Sequence, residues 1–482
     1  MHSNTSLAKT EVTGRYAGML RQPGAILLIA CYELGHQPLG IASPLGFLEQ
    51  AGYAPTALDI AIERLHAAKV AQARFIGLAV PMHTALRLGV RVVERIRALN
   101  PTCHICCYGL YATLNAEYLL AHGVDSVIGG EYEAPLVALI ESLDAGIENP
   151  VIGVSQHGRD AGPFLKRMDF RVPSRRMLPP LGSYAQLARD DTRNLVGYVE
   201  ASRGCKHHCL HCPIPPVYGG RFFAVPQEIV LEDIRRLVQS GAEHITFGDP
   251  DFLNGPTHAL RVTRAMHAEC STLTFDFTTK IEHILKHRVL FSEFAQLGCL
   301  FAVSAVESLS DTVLANLEKG HSRADVFEAL AIMRQAGIAL RPSLVSFTPW
   351  TTLDDYIDVF DVVELEGLID RVDPVQYAVR LLIPPGSLLL QRPAVQPFLG
   401  ALDQAAFSYR WTHPDPRMDE LHRAVTSLVE KAAKTDADPA LTFEQLRALA
   451  AAVRDGREPA AVTCSLPLTR SRSPRLTEPW FC

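Results

Sequence analysis

The sequence predicts an α/β chain: a Rossmann-like parallel sheet, then a partial (β/α)6 barrel, then a helical C-terminal region. Three observations carry that prediction. Short apolar runs alternate with helix-period segments over residues 24–146, and the alternation resumes at residue 195. Runs apolar on both faces belong to strands covered by helices on both sides. With 482 residues the chain is too long for one core, so more than one domain is needed.

The elements follow in order. Residues 1–22 are polar and read as a flexible arm. In residues 23–146 the runs 24–30, 75–80 and 104–109 are expected strands, and 85–99 carries apolar residues at helical spacing. This makes a layer of about five strands, with ligand groups expected at their carboxyl ends. Residues 147–193, rich in Arg, Pro and Gly, read as a linker over the surface. The barrel, residues 194–390, has candidate strands at 195–199, 244–247, 273–278, 299–306, 339–347 and 374–379. Amphipathic runs such as 227–240 and 323–336 lie between them. In such barrels chemistry sits at the strands' carboxyl ends. Residues 391–459 read as a helical C-terminal region, helical throughout from 400 to 457, and 460–482, rich in Ser, Thr, Pro and Arg, as a disordered tail ending on Trp480-Phe481-Cys482.

Composition excludes several classes. Hydrophobic content of 48% with 20% charged residues fits a globular enzyme. No uninterrupted apolar run reaches about 18 residues, so no membrane span is expected. Lys9, Glu11 and Arg15 interrupt the start of the chain, which argues against a secretory signal and for a cytoplasmic protein. A net charge of -6 gives no electrostatic case for a nucleic-acid partner. Eleven cysteines, an odd count, fit reduced thiols and ligands better than a disulfide framework.

The most informative motif is Cys205-x3-Cys209-x2-Cys212, in the run from Gly204 to Pro213. Three thiolates can hold three irons of a [4Fe–4S] cube and leave the fourth iron open. The rival is a Cys3His zinc site completed by His207, His208 or His211. A zinc knuckle needs a second ligand pair some 10–20 residues on, and the next cysteine here is Cys270. The βα series that follows also fits a catalytic barrel better than a knuckle.

This spacing and its surroundings resemble the radical S-adenosylmethionine (SAM) enzymes. The resemblance implies that the open iron chelates SAM and that one electron cleaves the sulfonium. It also implies roles for other residues. Gly248 and Asp249, at the end of the second barrel strand, correspond to the segment that binds SAM's amino group, with a turn of solvated acids as the alternative. Ser304 and Glu307 correspond to the fourth-strand groups that meet the SAM carboxylate or ribose. Leu317-Glu318-Lys319-Gly320 and Ala336-Gly337-Ile338 continue the likeness. Two departures stand out. His211 occupies the place of an aromatic residue near the adenine, and the run Ser346 to Thr352 replaces a Gly-x-Pro-Gly-x-Thr segment. Arg341 is placed to reach an anionic group or to be an ordinary surface residue.

The run Cys106 to Leu114 and the run His122 to Glu133 resemble the cobalamin-binding domain that precedes many radical SAM barrels. Tyr108, Gly109, Gly129 and Glu131 are the cofactor-binding candidates there. The Asp-x-His-x-x-Gly ligand pattern is missing: the nearest histidine is His36, with Leu34 where the Asp would stand. A histidine without that carboxylate is a weaker ligand, so a bound cobalamin is expected to lack a protein imidazole.

The cysteine segment through Phe222 and the ending Glu478-Pro479-Trp480-Phe481-Cys482 resemble the radical SAM group whose tails close in Cys-Sec-Ala-Glu-Pro or Cys-Cys-Ala-Glu-Pro. The resemblance implies a selenocysteine codon after Cys482 and a tail thiol acting as nucleophile, soft-metal ligand or redox partner. Tyr218, just past the cluster motif, is a candidate radical or proton relay. Cys31, Cys103, Cys106, Cys107, Cys270 and Cys299 sit in apolar runs and read as small core residues. The expected function is reductive SAM cleavage that starts radical chemistry on a small molecule or peptide. The electron donor would be a flavodoxin or ferredoxin, and with cobalamin present the outcome would be C-methylation. The alternatives are transfer of a SAM fragment to arsenic or selenium through the tail thiols, and a zinc-stabilised binding protein.

Overall fold

The structure is a computed structural model that describes residues 16–478 except 148, 190–191, 461, 463–466, 468–469 and 471. The first sheet is built from β1 (Ile26–Ala30), β2 (Thr56–Asp59), β3 (Phe75–Ala79), β4 (His104–Tyr108), β5 (Ser126–Ile128) and β6 (Val154–Gln156), in the order β2-β1-β3-β4-β5-β6. The first five strands are parallel, and β6 joins antiparallel. Strands β1, β3 and β4 are buried along their whole length, which is why they read as unbroken apolar runs. The helix His83–Leu99 buries Ala85, Leu86, Gly89, Val92, Val93 and Ile96, one stripe at the helical period.

The second sheet comprises β7 (Gln186–Arg189), β8 (Thr192–Val199), β11 (His244–Phe247), β12 (Thr274–Thr279), β13 (Cys299–Glu307), β14 (Ala339–Leu344) and β17 (Arg475–Leu476). A small hairpin, β9 (Ser202–Gly204) with β10 (Phe222–Ala224), stands beside it, and a second, β15 (Leu399–Asp403) with β16 (Ser408–Trp411), follows it. The order is β14-β13-β12-β11-β8-β7-β17, with β8, β11, β12, β13 and β14 parallel. The expected α/β class and partial barrel hold.

Three local expectations do not. The sixth barrel strand at 374–379 is instead the 3-10 helix Pro374–Ala378. Pro374 has no N–H for a ladder, and the Gln376 side chain accepts from Leu344 N at 2.8 Å, where a strand's backbone would have bonded. Residues 400–457 are not helical throughout, because β15 and β16 precede the helices Pro416–Lys434 and Pro439–Asp455. The tail was expected to be disordered, yet β17 pairs antiparallel with β7. Arg470 anchors that segment on Asp370 at 2.6 Å and Asp438 at 3.0 Å. Composition alone cannot show such partners, since both acids lie in other elements.

The linker carries a tie between the sheets. Arg175 donates to both oxygens of Asp233 at 2.9 and 2.8 Å, to Gln37 at 3.0 Å and to the Tyr198 carbonyl at 2.7 Å. Both charged side chains are nearly buried. Removing one partner of a buried pair leaves the other charge uncompensated. Arg175→Ala is therefore expected to cost about 3–5 kcal/mol, read as a lower urea midpoint than that of wild type.

Candidate active site

The cysteines lie on the loop that the β9–β10 hairpin closes, just past the end of β8. Gly204 opens that loop at φ +73°, and a Cβ there would stand 2.3 Å from the Arg221 carbonyl, so only glycine fits. Cys205 and Cys209 are buried, Cys212 is half-buried, and none is in a disulfide. Asn254 Nδ2 donates to Cys205 Sγ at 3.5 Å, and Cys212 N to the Cys209 carbonyl at 3.1 Å. Burial pushes the Cys212 thiol up to about 12, and the nearby Cys209 and Cys205 push the same way. Three thiols grouped on one loop become metal ligands only as thiolates, which a bound cation would stabilise. That donor set fits the three irons of an incomplete cube.

The charges around the loop are committed to one another. Glu307 ends β13 at φ +63° and contacts Lys319 Nζ at 3.1 Å and His211 Nε2 at 3.2 Å. Burial works to raise the Glu307 carboxyl, but Lys319 and His211 outweigh it and hold it well below the usual carboxylate range. His211 is thus a hydrogen-bond partner of Glu307, a contact the sequence does not show for residues it reads as facing the adenine and the SAM carboxylate or ribose. Ser304 lies on the opposite face of β13 from Phe301 and Val303, which line the barrel cavity. It turns to the helix layer, fully buried, and its Oγ has no hydrogen-bond partner among the described residues.

Asp249 accepts from Ala201 N at 2.9 Å and from Ser202 Oγ, and so fixes the turn between β8 and β9. Burial pushes its carboxyl up to about 7. At Gly248 a Cβ would stand 2.2 Å from the Tyr198 hydroxyl, so glycine there lets that ring cross the barrel mouth. Arg341 does not face a free anion site: its Nη2 donates to both oxygens of Asp373 at 2.9 Å. A cavity of about 230 Å³ inside the sheet is bordered by His36, Tyr198, Gly248, Asp249, Arg341 and Glu478.

A second cavity, about 280 Å³, runs from the strand ends of the first sheet to the cysteine loop. Gly40, Ala79, Gly109 and Gly130 line one end, and Gly204, Ile214 and Tyr218 the other. Tyr108 and Gly109 border it as well, but Gly129 does not: a Cβ there would meet Thr113 Oγ1 at 2.0 Å. Glu131 is fully buried behind the wall and accepts from Tyr218 Oη at 3.1 Å. Burial pushes its carboxyl up to about 7.

Sequence reasoning missed Arg203, Tyr198 and Glu33, and it gave Lys319, within the run 317–320, no role of its own. Glu33 accepts from the backbone of Leu39 and Gly40, at the start of the helix Leu39–Gln50. Arg203 had a signal, since it stands two residues before Cys205. The small residues at the strand ends fit a flat macrocycle. Among the described residues no histidine lines this cavity, and His36 stacks on Tyr198, ring centroids 4.3 Å apart.

Residues 199–351 match the sequence model of the Radical SAM superfamily. The chain carries a radical SAM domain. A domain of this kind requires a [4Fe–4S] cluster and SAM. Hopanoid C-3 methylase of Methylococcus capsulatus is 27% identical over 267 residues, covering 54% of this chain and 50% of that protein. The tRNA-2-methylthio-N(6)-dimethylallyladenosine synthase of Desulfosudis oleivorans is 27% identical over 203 residues, covering 40% of this chain and 43% of that protein. The chain spans about half the length of the curated relatives it matches.

Among solved structures, the radical SAM methyltransferase TsrM of Kitasatospora setae, with cobalamin and a [4Fe–4S] cluster bound, superposes with a TM-score of 0.57. It is 16% identical, with 72% of this chain and 71% of that one covered. The radical enzyme OxsB, with aqua-cobalamin and SAM bound, gives a TM-score of 0.67 at 14% identity, with 87% and 72% covered. At these identities the likeness is one of fold. It extends across both sheets, beyond the radical SAM domain itself.

Two outcomes follow from the buried titratable groups around the barrel mouth. Lys319→Met leaves the buried Glu307 without its ammonium and is expected to cost about 3–5 kcal/mol. Adding Glu307→Gln should recover part of that loss in the same urea titration. His36 is pushed down to about 4 by burial, below its unfolded value, so its contribution is full above about pH 6.5 and fades as pH falls toward 4. Wild type should lose about 2–3 kcal/mol more than His36→Phe between pH 7 and pH 4.5, measured by urea unfolding.

Proposed function

We propose that this chain is a cobalamin-dependent radical SAM methyltransferase that acts on an unactivated carbon of a small-molecule or peptide substrate. One observation carries the reading: a single cavity is bordered by the strand ends of the first sheet and by the cysteine loop of the radical SAM domain. When bound, the cluster supplies the electron for reductive SAM cleavage, and cobalamin supplies a methyl carrier. Cys205, Cys209 and Cys212 would hold the cluster, and the β9–β10 hairpin orients them. Lys319, neutralised by Glu307, places one buried ammonium beside Cys209 and Cys212. Tyr218 Oη keeps its proton on the Glu131 carboxylate, at the cavity end nearest the cysteines.

A low-potential flavodoxin or ferredoxin would deliver the electron. Among the described residues no helix is long and apolar enough to cross a membrane.

Cys482 lies outside the described residues. A second reading, transfer of a SAM fragment to arsenic or selenium by a tail thiol, draws on Glu478. That residue borders the barrel cavity and accepts from Tyr32 at 3.0 Å.

Anaerobic purification with cobalamin in the medium, then mass spectrometry of reduced reaction mixtures, tests both. The expected result is one cobalamin per chain and SAM cleavage products that vanish in Cys205→Ala. Unchanged products in that variant sink the radical reading. Cleavage without bound cobalamin, dependent on Cys482 and an added metalloid, favours the second.

A further inference from the structure

From the arrangement of His207, Asp251 and His283 we infer a second metal site beside the cluster loop, built for one divalent first-row cation such as Zn²⁺ or Fe²⁺. The three residues come from different elements. His207 lies on the cysteine loop between Cys205 and Cys209, and Asp251 opens the 3-10 turn Phe252–Asn254 after β11. His283 sits on the helix Ile281–Lys286 after β12. One ligand atom from each falls within 4.8 Å of the other two.

The two separations made by His207 suit a shared ion, and the third pair lies within the 4.8 Å that all three share. His207 Nε2 stands 3.3 Å from His283 Nε2 and 3.5 Å from Asp251 Oδ2. Ligands about 2.0–2.1 Å from a tetrahedral metal are about 3.3 Å apart. Asp251 Oδ1 already accepts from Leu253 N and Thr279 Oγ1, which leaves Oδ2 as the free oxygen. That oxygen lies 2.9 Å from His283 Nδ1. Even so, both atoms are buried without an aligned hydrogen-bond partner among the described residues. Two neutral imidazoles and one carboxylate are a donor set for divalent zinc or iron.

The surroundings supply the outer carboxylate such a site needs. His207 Nδ1 is 3.7 Å from Glu282 Oε2, the acceptor for its N–H once Nε2 binds metal. Lys280 Nζ, 3.2 Å from the same nitrogen, is also 3.3 Å from Glu282 and moves onto it. The ion would clamp the arc between the first two cluster ligands to the ends of β11 and β12.

The test uses the full chain with Cys205→Ala, Cys209→Ala and Cys212→Ala, stripped with chelator and titrated with Co²⁺. The expected result is one equivalent bound with ligand-field absorption and displaced by Zn²⁺. Adding His283→Gln should weaken Co²⁺ binding roughly tenfold or more. In the cluster-bearing chain, exposure to Zn²⁺ and removal of excess should leave one zinc beside the irons. His283→Gln should keep the irons and lose the zinc. This second measurement stands even where the triple variant does not fold. Absence of zinc from the cluster-bearing wild type, or equal zinc in wild type and His283→Gln, overturns the site and leaves a hydrogen-bonded relay in its place.

Discussion

The site depends on one buried cation, Arg203. It stands at the junction of the two sheets, two residues before Cys205. Its guanidinium meets Glu133 at 2.7 Å and Glu131 at 3.6 Å from the first domain, and Glu200 at 2.9 Å from the end of β8. Glu131 and Glu133 are fully buried, so none of these charges can be left alone without a large desolvation cost. The network therefore holds only when the strand ends of the first sheet face the barrel mouth in one register. Such a network stabilises little in itself. It selects one arrangement, and that arrangement creates the cavity reaching from Gly109 to Gly204.

Most of the polar groups at the barrel mouth serve that arrangement. Asp249 spends its oxygens on Ala201 and Ser202. Glu307 is divided between Lys319 and His211, and Arg341 is forked onto Asp373. A charged group at a strand end thus gives no reading of its role by position alone. In a dry interior each charge is claimed by its nearest opposite, which can lie on any element. Tyr218 is different, since it borders the cavity while its hydroxyl is held from behind by Glu131.

The open edges of the second sheet are handled with the same economy. β17 covers the edge of β7, while the Pro474 carbonyl accepts from Arg341 on β14 at 3.4 Å. One short segment of the tail thus touches both ends of the strand order, and unpaired edges are a liability that a strand addition removes. Its Glu478 then reaches Tyr32 and the barrel cavity, so the tail couples edge protection to the site.

The sequence by itself determined the chemistry of the ligands and the class of the fold. Cysteine spacing is local, and strands covered on both faces must be apolar throughout, so both are visible without coordinates. The parallel strands β8, β11, β12, β13 and β14 were legible for that reason. The sixth was not, because Pro374 and the Gln376 side chain replace a ladder through a contact with β14. Only the tertiary structure decided which face Ser304 takes and that His211 belongs to Glu307. It alone brought Arg203 to its carboxylates and His283 to His207. These are pairings between residues far apart in the chain. Their energies depend on distance and burial, quantities a linear sequence does not contain.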